Sequence, residues 1–163
     1  MDTINLTTNE FSINNDEYRY QLEKPVTDIG GKKGNRTTYI YNSEKIAKQL
    51  NVNSMFFGKY ISNSLSCPIS ISKEFKCLAF KGEYTMENIT NLLIEFINIY
   101  ILCPVCDLPE TDLHKNNKLG IHHVCRSCGE CTKVNITKID KTYDYIEKNI
   151  NTSKKIDIKN NII

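Results

Sequence analysis

Apolar residues recur every three to four positions in three stretches of the chain, and this spacing predicts three helices. The clearest stretch follows Thr85 and ends at Tyr100. Thr85 is expected to cap this helix, and Glu87 lies in its first turn, where the helix dipole favours a negative charge. The apolar stripe predicts a buried set that consists of Ile89, Leu92, Leu93, Phe96 and Ile97.

Two shorter helices are predicted earlier in the chain. The first begins at Asn42-Ser43 and places Ile46, Ala47 and Leu50 on one face. The second begins at Ser54, and Lys59 points away from its apolar stripe, so that this lysine is available to a partner. The buried stripe of the second helix is expected to contain Phe56, Phe57, Tyr60, Ile61 and Leu65.

Short strands are predicted at Thr37–Tyr41, Pro68–Ser72 and Cys77–Phe80. The glycine-rich loop Gly30–Arg36 precedes the first of them and is typical of a hairpin turn. Strands interspersed with helices indicate an α+β fold in which helices pack on a small mixed sheet. A further short helix is predicted over Thr142–Asn149.

Four cysteines form two C-x-x-C pairs, Cys103/Cys106 and Cys125/Cys128, at the spacing of a structural zinc site. Their thiolates can converge on one Zn²⁺ in tetrahedral geometry, and Gly129 suits the tight turn after the second pair. Strands predicted at Leu119–Val124 and Cys131–Ile136 complete a C-terminal zinc ribbon. Disulfides are the alternative, but an odd number of cysteines, seven, and the lack of a secretory signal argue against them.

The predicted ribbon has few apolar side chains, so metal binding is expected to supply most of its folding free energy. His114, His122 and His123 are interpreted as solvated loop or strand residues rather than ligands. Cys131 is expected to be a small buried strand residue. Four cysteine ligands leave no coordination position for water, which argues against a self-contained metalloenzyme.

Composition limits the function classes without selecting one. The chain of 163 residues has a formal net charge of +2, so global charge gives no case for nucleic-acid binding. The longest apolar stretch, Phe96–Val105, is too short to span a membrane. Free cysteines without a secretory signal predict a reducing, cytoplasmic location, and we expect a monomer.

These patterns divide the chain into four segments. Residues 1–16 are polar and aperiodic and are expected to form a flexible N-terminal arm. Residues 17–101 are predicted to form the α/β domain, and residues 102–136 the zinc ribbon. Residues 137–163 contain the short C-terminal helix and a tail that is expected to be disordered.

Two cationic features remain after the core and the zinc site are assigned. Tyr18-Arg19-Tyr20 places an arginine between two tyrosines, and by itself this motif favours an edge strand with an exposed arginine. Lys32, Lys33 and Arg36 lie in the glycine-rich loop, which lacks the Walker pattern and therefore does not indicate a P-loop. These three cations could contact a phosphate backbone or an acidic partner surface.

In combination, the motifs resemble the N-terminal domain of eukaryotic translation initiation factor 5, whose plan is shared with the beta subunit of initiation factor 2. The resemblance extends over roughly residues 18–134 in one register. Two of its motifs, the first and the last, favour factor 5 over the beta subunit. The motifs are Tyr18-Arg19-Tyr20, Gly31–Asn35, Ser43–Asn51, Phe57–Tyr60, Leu102–Cys106 and Pro109–His114.

The resemblance implies a role in the scanning preinitiation complex, where factor 5 activates GTP hydrolysis by initiation factor 2. Arg19 would be an arginine finger acting in trans, so that the protein activates a GTPase and is not an enzyme in its own right. The implied partners are the gamma and beta subunits of initiation factor 2, the small ribosomal subunit RNA and the initiator tRNA, with no membrane. The implied contact residues are Tyr18, Lys32, Lys33, Arg36 and Lys59.

Two departures from the family pattern affect this reading. Thr37 occupies the register of a family lysine, so that either the neighbouring Arg36 supplies the charge or the contact is missing. Family members also continue into a helical HEAT-type domain, and a chain without it is expected to bind its partner more weakly. The alternatives to an activator are a module that binds the ribosome and initiator tRNA, and a structural component like the beta subunit. Neither alternative needs a guanidinium at position 19.

Overall fold

The computed structural model describes residues 2–136 and 140–150, and the tail predicted to be disordered lies outside them. The chain divides into two compact units, of which the first comprises Met1–Ile4 and Gln21–Phe96, and the second Asn5–Tyr20 and Ile97–Ile163. Helices and small sheets occur together, which confirms the α+β class. None of the described helices combines the length and the apolar character that crossing a bilayer requires.

The main sheet of the first unit is antiparallel. The strands β1 (Thr3–Asn5) and β2 (Gln21–Glu23) pair separately, while β3 (Thr27–Gly30), β4 (Thr37–Ile40), β5 (Ile69–Ile71) and β6 (Leu78–Lys81) form a sheet of order β3-β4-β6-β5. Its three pairings among the described strands are antiparallel, where the sequence predicts a mixed sheet. The difference arises because β3–β4 and β5–β6 are hairpins with short loops, which make neighbouring strands antiparallel.

The three predicted N-terminal helices are present as α1 (Ser43–Leu50), α2 (Ser54–Leu65) and α3 (Met86–Tyr100). The Asn53 side chain caps α2 by accepting a hydrogen bond from the Met55 amide at 2.8 Å. The Thr85 hydroxyl accepts one from the Asn88 amide at 3.2 Å, which confirms the predicted cap of α3. Asn42 lies at the start of α1 but makes no side-chain cap.

The apolar stripes of the helices form the core of the first unit. The Phe57 and Phe96 rings meet edge to face with their centroids 6.2 Å apart. Gly58 lets α2 approach the sheet closely, because an added Cβ would lie only 2.7 Å from the Ile69 Cδ1 atom. The side chains in this unit that are almost completely buried include Leu22, Ile40, Ile46, Phe57, Ile61, Leu78, Phe80, Ile89, Leu93 and Phe96.

Three of the side chains that the stripes predict as buried are only half-buried, namely Tyr60, Leu65 and Leu92. Tyr60 lies at the border of the core, where its hydroxyl donates a hydrogen bond to the Glu95 carboxylate at 3.1 Å. Because the stripe of each helix is wider than the surface that covers it, residues at its edges remain partly solvated.

The second unit contains a three-stranded antiparallel sheet and one described helix. The strands are β7 (Thr111–Asn116), β8 (Gly120–Cys125) and β9 (Cys131–Lys133), in the order β7-β8-β9, and the helix is α4 (Lys141–Asn149). The sequence predicts β8, β9 and α4 but not β7. The Tyr143 hydroxyl of α4 accepts a hydrogen bond from the Ile121 amide at 2.8 Å and so ties the helix to the central strand.

His122 and His123 lie in the central strand β8 and are buried, which corrects the expectation that they are solvated. A central strand is enclosed by neighbours on both edges, so its side chains are less accessible than those of a two-stranded ribbon. Burial lowers the pKa of His123, and the ring is therefore neutral at physiological pH. The strand thus buries an uncharged imidazole there.

Candidate metal centre and N-terminal segment

The four predicted zinc ligands converge in the second unit. Cys103 and Cys106 follow α3, and Cys125 and Cys128 follow the paired part of β8. All four Sγ atoms lie within 4.8 Å of one another. The Cys103 and Cys128 sulfur atoms are 3.7 Å apart, and those of Cys106 and Cys125 are 3.6 Å apart.

These distances fit a tetrahedral zinc site. Thiolates about 2.3 Å from a common Zn²⁺ lie roughly 3.8 Å from one another. A disulfide instead requires about 2.05 Å between its sulfur atoms, and the cysteines are free. Cys131, which is half-buried in β9, does not belong to the cluster that the described residues form. A set of four sulfur donors favours Zn²⁺ over the divalent cations that prefer oxygen.

Each pair of ligands lies on a tight turn, and the two turns are alike. The Asp107 amide donates to the Cys103 carbonyl at 2.9 Å, and the Gly129 amide donates to the Cys125 carbonyl at 3.0 Å. Asp107 and Gly129 both have positive φ, of 57° and 77°. Glycine adopts this conformation readily, and aspartate is among the few other residues that tolerate it.

The thiols of the cluster differ in acidity. Burial raises the pKa of Cys106 to about 12. Burial also acts to raise the pKa of Cys125, but the backbone amides of Cys128 and Ser127 outweigh it and hold that pKa below its usual value. Zinc binds thiolates, so its binding releases protons, and Cys125 is the ligand best prepared to coordinate first.

The second unit also contains the N-terminal segment, defined here as Asn5–Tyr20. The sequence predicts a flexible arm over residues 1–16, whereas in the structure residues 2–16 include β1 and a series of turns. The Asn5 side chain donates hydrogen bonds to the carbonyls of Ser12 and Asn15 at 2.8 and 2.7 Å. The Leu6 amide donates to the Tyr20 carbonyl at 2.9 Å, so the two ends of the segment lie side by side.

Asp107, which follows the ligand Cys106, binds the N-terminal segment. Its carboxylate accepts hydrogen bonds from the Thr7 hydroxyl at 2.5 Å, the Thr8 amide at 2.8 Å and the Thr8 hydroxyl at 2.7 Å. Partial burial acts to raise the pKa of Asp107, but these hydrogen bonds outweigh it and hold the pKa below its usual value. No local pattern in the sequence marks Asp107 as a contact residue, since Thr7 lies 100 positions away.

Arg19 is exposed, and it stacks on its neighbour Tyr20. The guanidinium carbon lies 5.3 Å from the centroid of the Tyr20 ring, within the range of a cation–π contact. The Tyr20 hydroxyl donates a hydrogen bond to the Glu110 carboxylate. This bond, together with partial desolvation, raises the pKa of Tyr20 although Arg19 opposes the shift, so the hydroxyl is protonated at neutral pH.

Tyr18 supports Tyr20 from the other side of the arginine. The two tyrosine rings meet edge to face at 6.1 Å, and the Tyr18 hydroxyl donates to the Leu6 carbonyl at 3.4 Å. Since β2 begins at Gln21, the Tyr18-Arg19-Tyr20 motif precedes the strand instead of forming an edge strand itself.

The basic loop belongs to the first unit and connects β3 to β4. Lys32 and Lys33 are exposed, and the Asn35 amide donates to the Lys32 carbonyl at 2.8 Å to close the turn. Arg36 pairs with Glu83 at 3.1 Å and donates a hydrogen bond to the Gly31 carbonyl at 3.1 Å. The Arg36 charge is therefore engaged within its own unit.

Two other positions of the first unit bear on the predicted contacts. Lys59 is half-buried on α2. Thr37, which stands where the family pattern has a lysine, is paired in the sheet with Lys81 of β6. The Lys81 ammonium donates a hydrogen bond to the Asn35 side chain. A cation thus lies beside the basic loop at this point of the sheet, and sequence reasoning missed it because the pairing of β4 with β6 is not local.

Comparison with known proteins relates the chain to translation initiation factors. A family described as a domain found in initiation factors 2B and 5 matches residues 11–132. Eukaryotic translation initiation factor 5 of Mus musculus is 30% identical over 119 residues, which cover 72% of this chain and 28% of that protein. The factor 5 of Caenorhabditis elegans is 32% identical over 114 residues, which cover 69% of this chain and 26% of that protein.

An archaeal relative matches over more of its own length. Translation initiation factor 2 subunit beta of Nanoarchaeum equitans is 34% identical over 98 residues, which cover 60% of this chain and 69% of that protein. The chain therefore spans about a quarter of the length of the factor 5 relatives, but more than two thirds of this beta subunit.

Proposed function

The chain belongs to the translation initiation factor family whose shared domain is found in initiation factors 2B and 5, and we propose that it stimulates GTP hydrolysis by initiation factor 2 in the manner of factor 5. The observation that carries this proposal is the exposed Arg19, framed by two tyrosines within the region that matches the family. In this proposal the protein activates a partner GTPase and has no catalytic site of its own.

Arg19 suits the chemistry of phosphoryl transfer. Charge spreads over the oxygens of the γ-phosphate as the bond to the leaving group breaks, and a positive group that contacts several of these oxygens lowers the barrier. The guanidinium is planar and permanently charged, and it presents several N–H donors in a fixed fork. A cation–π contact with Tyr20 leaves those in-plane donors directed outward.

The remaining predicted residues take binding roles in this proposal. Lys32 and Lys33 are exposed cations on a flexible glycine-rich loop, which suits contact with the phosphates of ribosomal RNA or initiator tRNA. Tyr18, Arg36 and Lys59 are proposed to contact the gamma and beta subunits of initiation factor 2 or nearby RNA. These partners place the protein in the cytoplasm, where we propose that it acts as a monomer.

One Zn²⁺ held by the cysteine cluster has a structural role in this proposal. Cys103, Cys106, Cys125 and Cys128 would occupy all four tetrahedral positions, so the metal would offer none to water or substrate. The chemistry that zinc supplies is the cross-linking of two turns by bonds to four thiolates.

A second candidate function is a structural role like that of the beta subunit of initiation factor 2. The archaeal beta subunit, which this chain matches over 69% of its length, supports it. Such a component has no need of a guanidinium at position 19. Stoichiometric co-purification with the gamma subunit would favour this candidate, whereas a catalytic requirement for Arg19 favours the activator.

A single-turnover assay of GTP hydrolysis by ribosome-bound initiation factor 2 tests the proposal. Wild-type protein is expected to accelerate hydrolysis, and Arg19→Ala is expected to abolish most of the acceleration while retaining binding to the complex. If Arg19→Ala stimulates hydrolysis as well as the wild type does, a binding role without activation replaces the proposed one.

A further inference from the structure

We propose that the first cysteine turn positions Arg19, with Glu110 as a positioning residue that acts through Tyr20. The inference rests on the proposed function of Arg19 and adds a role for a carboxylate that contacts neither the GTPase nor the metal. It also gives the cysteine cluster a second purpose, since the loop that the metal would organise is the same loop that binds the N-terminal segment.

The N-terminal segment is attached to this loop at two places. Asp107 accepts three hydrogen bonds from Thr7 and Thr8 near the beginning of the segment. Glu110 accepts a hydrogen bond from Tyr20 at its end. Both carboxylates lie within four residues of the ligand Cys106, so their positions depend on the turn that Cys103 and Cys106 form.

Tyr20 transmits the position of Glu110 to Arg19. Its hydroxyl is fixed by Glu110, and its ring lies 5.3 Å from the Arg19 guanidinium carbon. Tyr18 packs against the same ring at 6.1 Å, which restricts the ring further. An arginine that is held near its working orientation loses less conformational entropy when it enters a partner's site, and the gain appears in the rate of the assembled complex.

The contacts also define what each substitution removes. Tyr20→Phe retains the ring beside Arg19 but removes the donor to Glu110. Glu110→Ala removes the acceptor, while Glu110→Gln retains an acceptor oxygen in a side chain of the same length. Thr8→Val keeps the shape of the side chain and removes one of the donors to Asp107. Glu10→Ala serves as the control, since Glu10 is an exposed carboxylate of the same segment.

The first experiment is limited trypsin digestion of the free, zinc-loaded full chain, with quantification of cleavage after Arg19. A protease cuts a docked segment through its transiently open form, so the cleavage rate reports how often the segment opens. Tyr20→Phe, Glu110→Ala and Thr8→Val are expected to accelerate this cleavage severalfold, and Glu110→Gln and Glu10→Ala to leave it near the wild-type rate. Cleavage after Arg126 and zinc content report whether the ribbon is intact.

The second experiment measures single-turnover GTP hydrolysis by ribosome-bound initiation factor 2 over a range of factor concentrations. Tyr20→Phe and Glu110→Ala are expected to lower the maximal rate constant severalfold at an unchanged half-saturating concentration, and Glu110→Gln to restore it. A merely structural loss would lower zinc content or raise the half-saturating concentration instead.

The two experiments separate the possible failures. Unchanged cleavage after Arg19 in all three disruptive variants overturns the docking of the segment, and with it the positioning role. Faster cleavage with an unchanged maximal rate overturns the positioning role alone. If wild-type protein gives no stimulation, the proposed function fails and the positioning role falls with it, while the cleavage result still decides whether the cysteine turn holds the segment.

Discussion

Cys103 and Cys128 bring their Sγ atoms to 3.7 Å of each other although 25 positions separate them in the chain. Closing a loop of this length costs conformational entropy, and the small three-stranded sheet between the two turns has few apolar side chains to offset that cost. Four metal–thiolate bonds are of the size needed, because structural zinc sites can contribute most of the folding free energy of a small domain.

We predict that the chain binds one zinc ion per molecule and that Cys125→Ser abolishes tight binding. Loss of the metal should unfold the ribbon, while the first unit, which has its own aromatic and aliphatic core, should keep much of its structure. Metal analysis of protein purified without a chelator, combined with far-ultraviolet circular dichroism, measures both effects.

Cys131→Ser is the matched control for this prediction, since Cys131 lies outside the four-sulfur cluster. It should retain one equivalent of zinc. A full equivalent of tightly bound zinc in Cys125→Ser would contradict the assignment of the ligands.

Much of the fold and the metal ligands could be predicted because local patterns determine them. The helical stripe through Ile89 and Leu93 depends on residues three or four positions apart, and a C-x-x-C pair is recognisable within four residues. These signals need no knowledge of distant contacts. The ends of α3, its Thr85 cap and the convergence of four cysteines therefore agree with the sequence analysis.

The attachment of the N-terminal segment could not be predicted, because single polar contacts between distant residues produce no periodic signal. Thr7 and Asp107 are 100 positions apart, and Tyr20 and Glu110 are 90 positions apart. The strand β7 was missed for a related reason. Five of its six residues are only half-buried, so it lacks the apolar alternation that identifies a strand.

We predict that Leu93→Ala destabilises the protein by about 2–5 kcal/mol, the usual range for truncation of a core leucine. Leu93 is almost fully buried on α3, so its truncation leaves a cavity that the packed neighbours cannot fill. Asn98→Ala, at an exposed position of the same helix, should change the unfolding free energy little. Urea unfolding measures both values, and equal stability of the two variants would refute the packing of α3.

We predict that Gly31→Ala disturbs the basic loop more than Gly34→Ala does. Both glycines have positive φ, 93° and 83°, so alanine is strained at either position. At Gly31, however, an added Cβ would also lie 2.4 Å from the Asn35 carbonyl oxygen, whereas at Gly34 it meets no atom within 4 Å.

The comparison of these two alanine variants isolates the clash from the backbone strain. Gly31→Ala should show the larger loss of unfolding free energy and larger amide chemical-shift changes from Lys32 to Arg36. Equal effects would mean that the loop relaxes around the new methyl group.

The final prediction is that charge alone at position 19 is insufficient. Arginine fingers supplied in trans contribute roughly 10³–10⁵-fold in rate. Arg19→Lys keeps the positive charge but replaces the planar fork with a single ammonium, which cannot contact several phosphate oxygens with the same geometry. It should therefore bind the ribosomal complex normally and recover little of the activity that Arg19→Ala loses. Arg126→Lys, at an arginine that pairs with Asp112 in the ribbon at 3.4 Å, is the matched control and should stimulate GTP hydrolysis as the wild type does. If Arg19→Lys supports the wild-type rate of single-turnover hydrolysis, position 19 contributes only electrostatic attraction, and the assignment of a guanidinium finger is wrong.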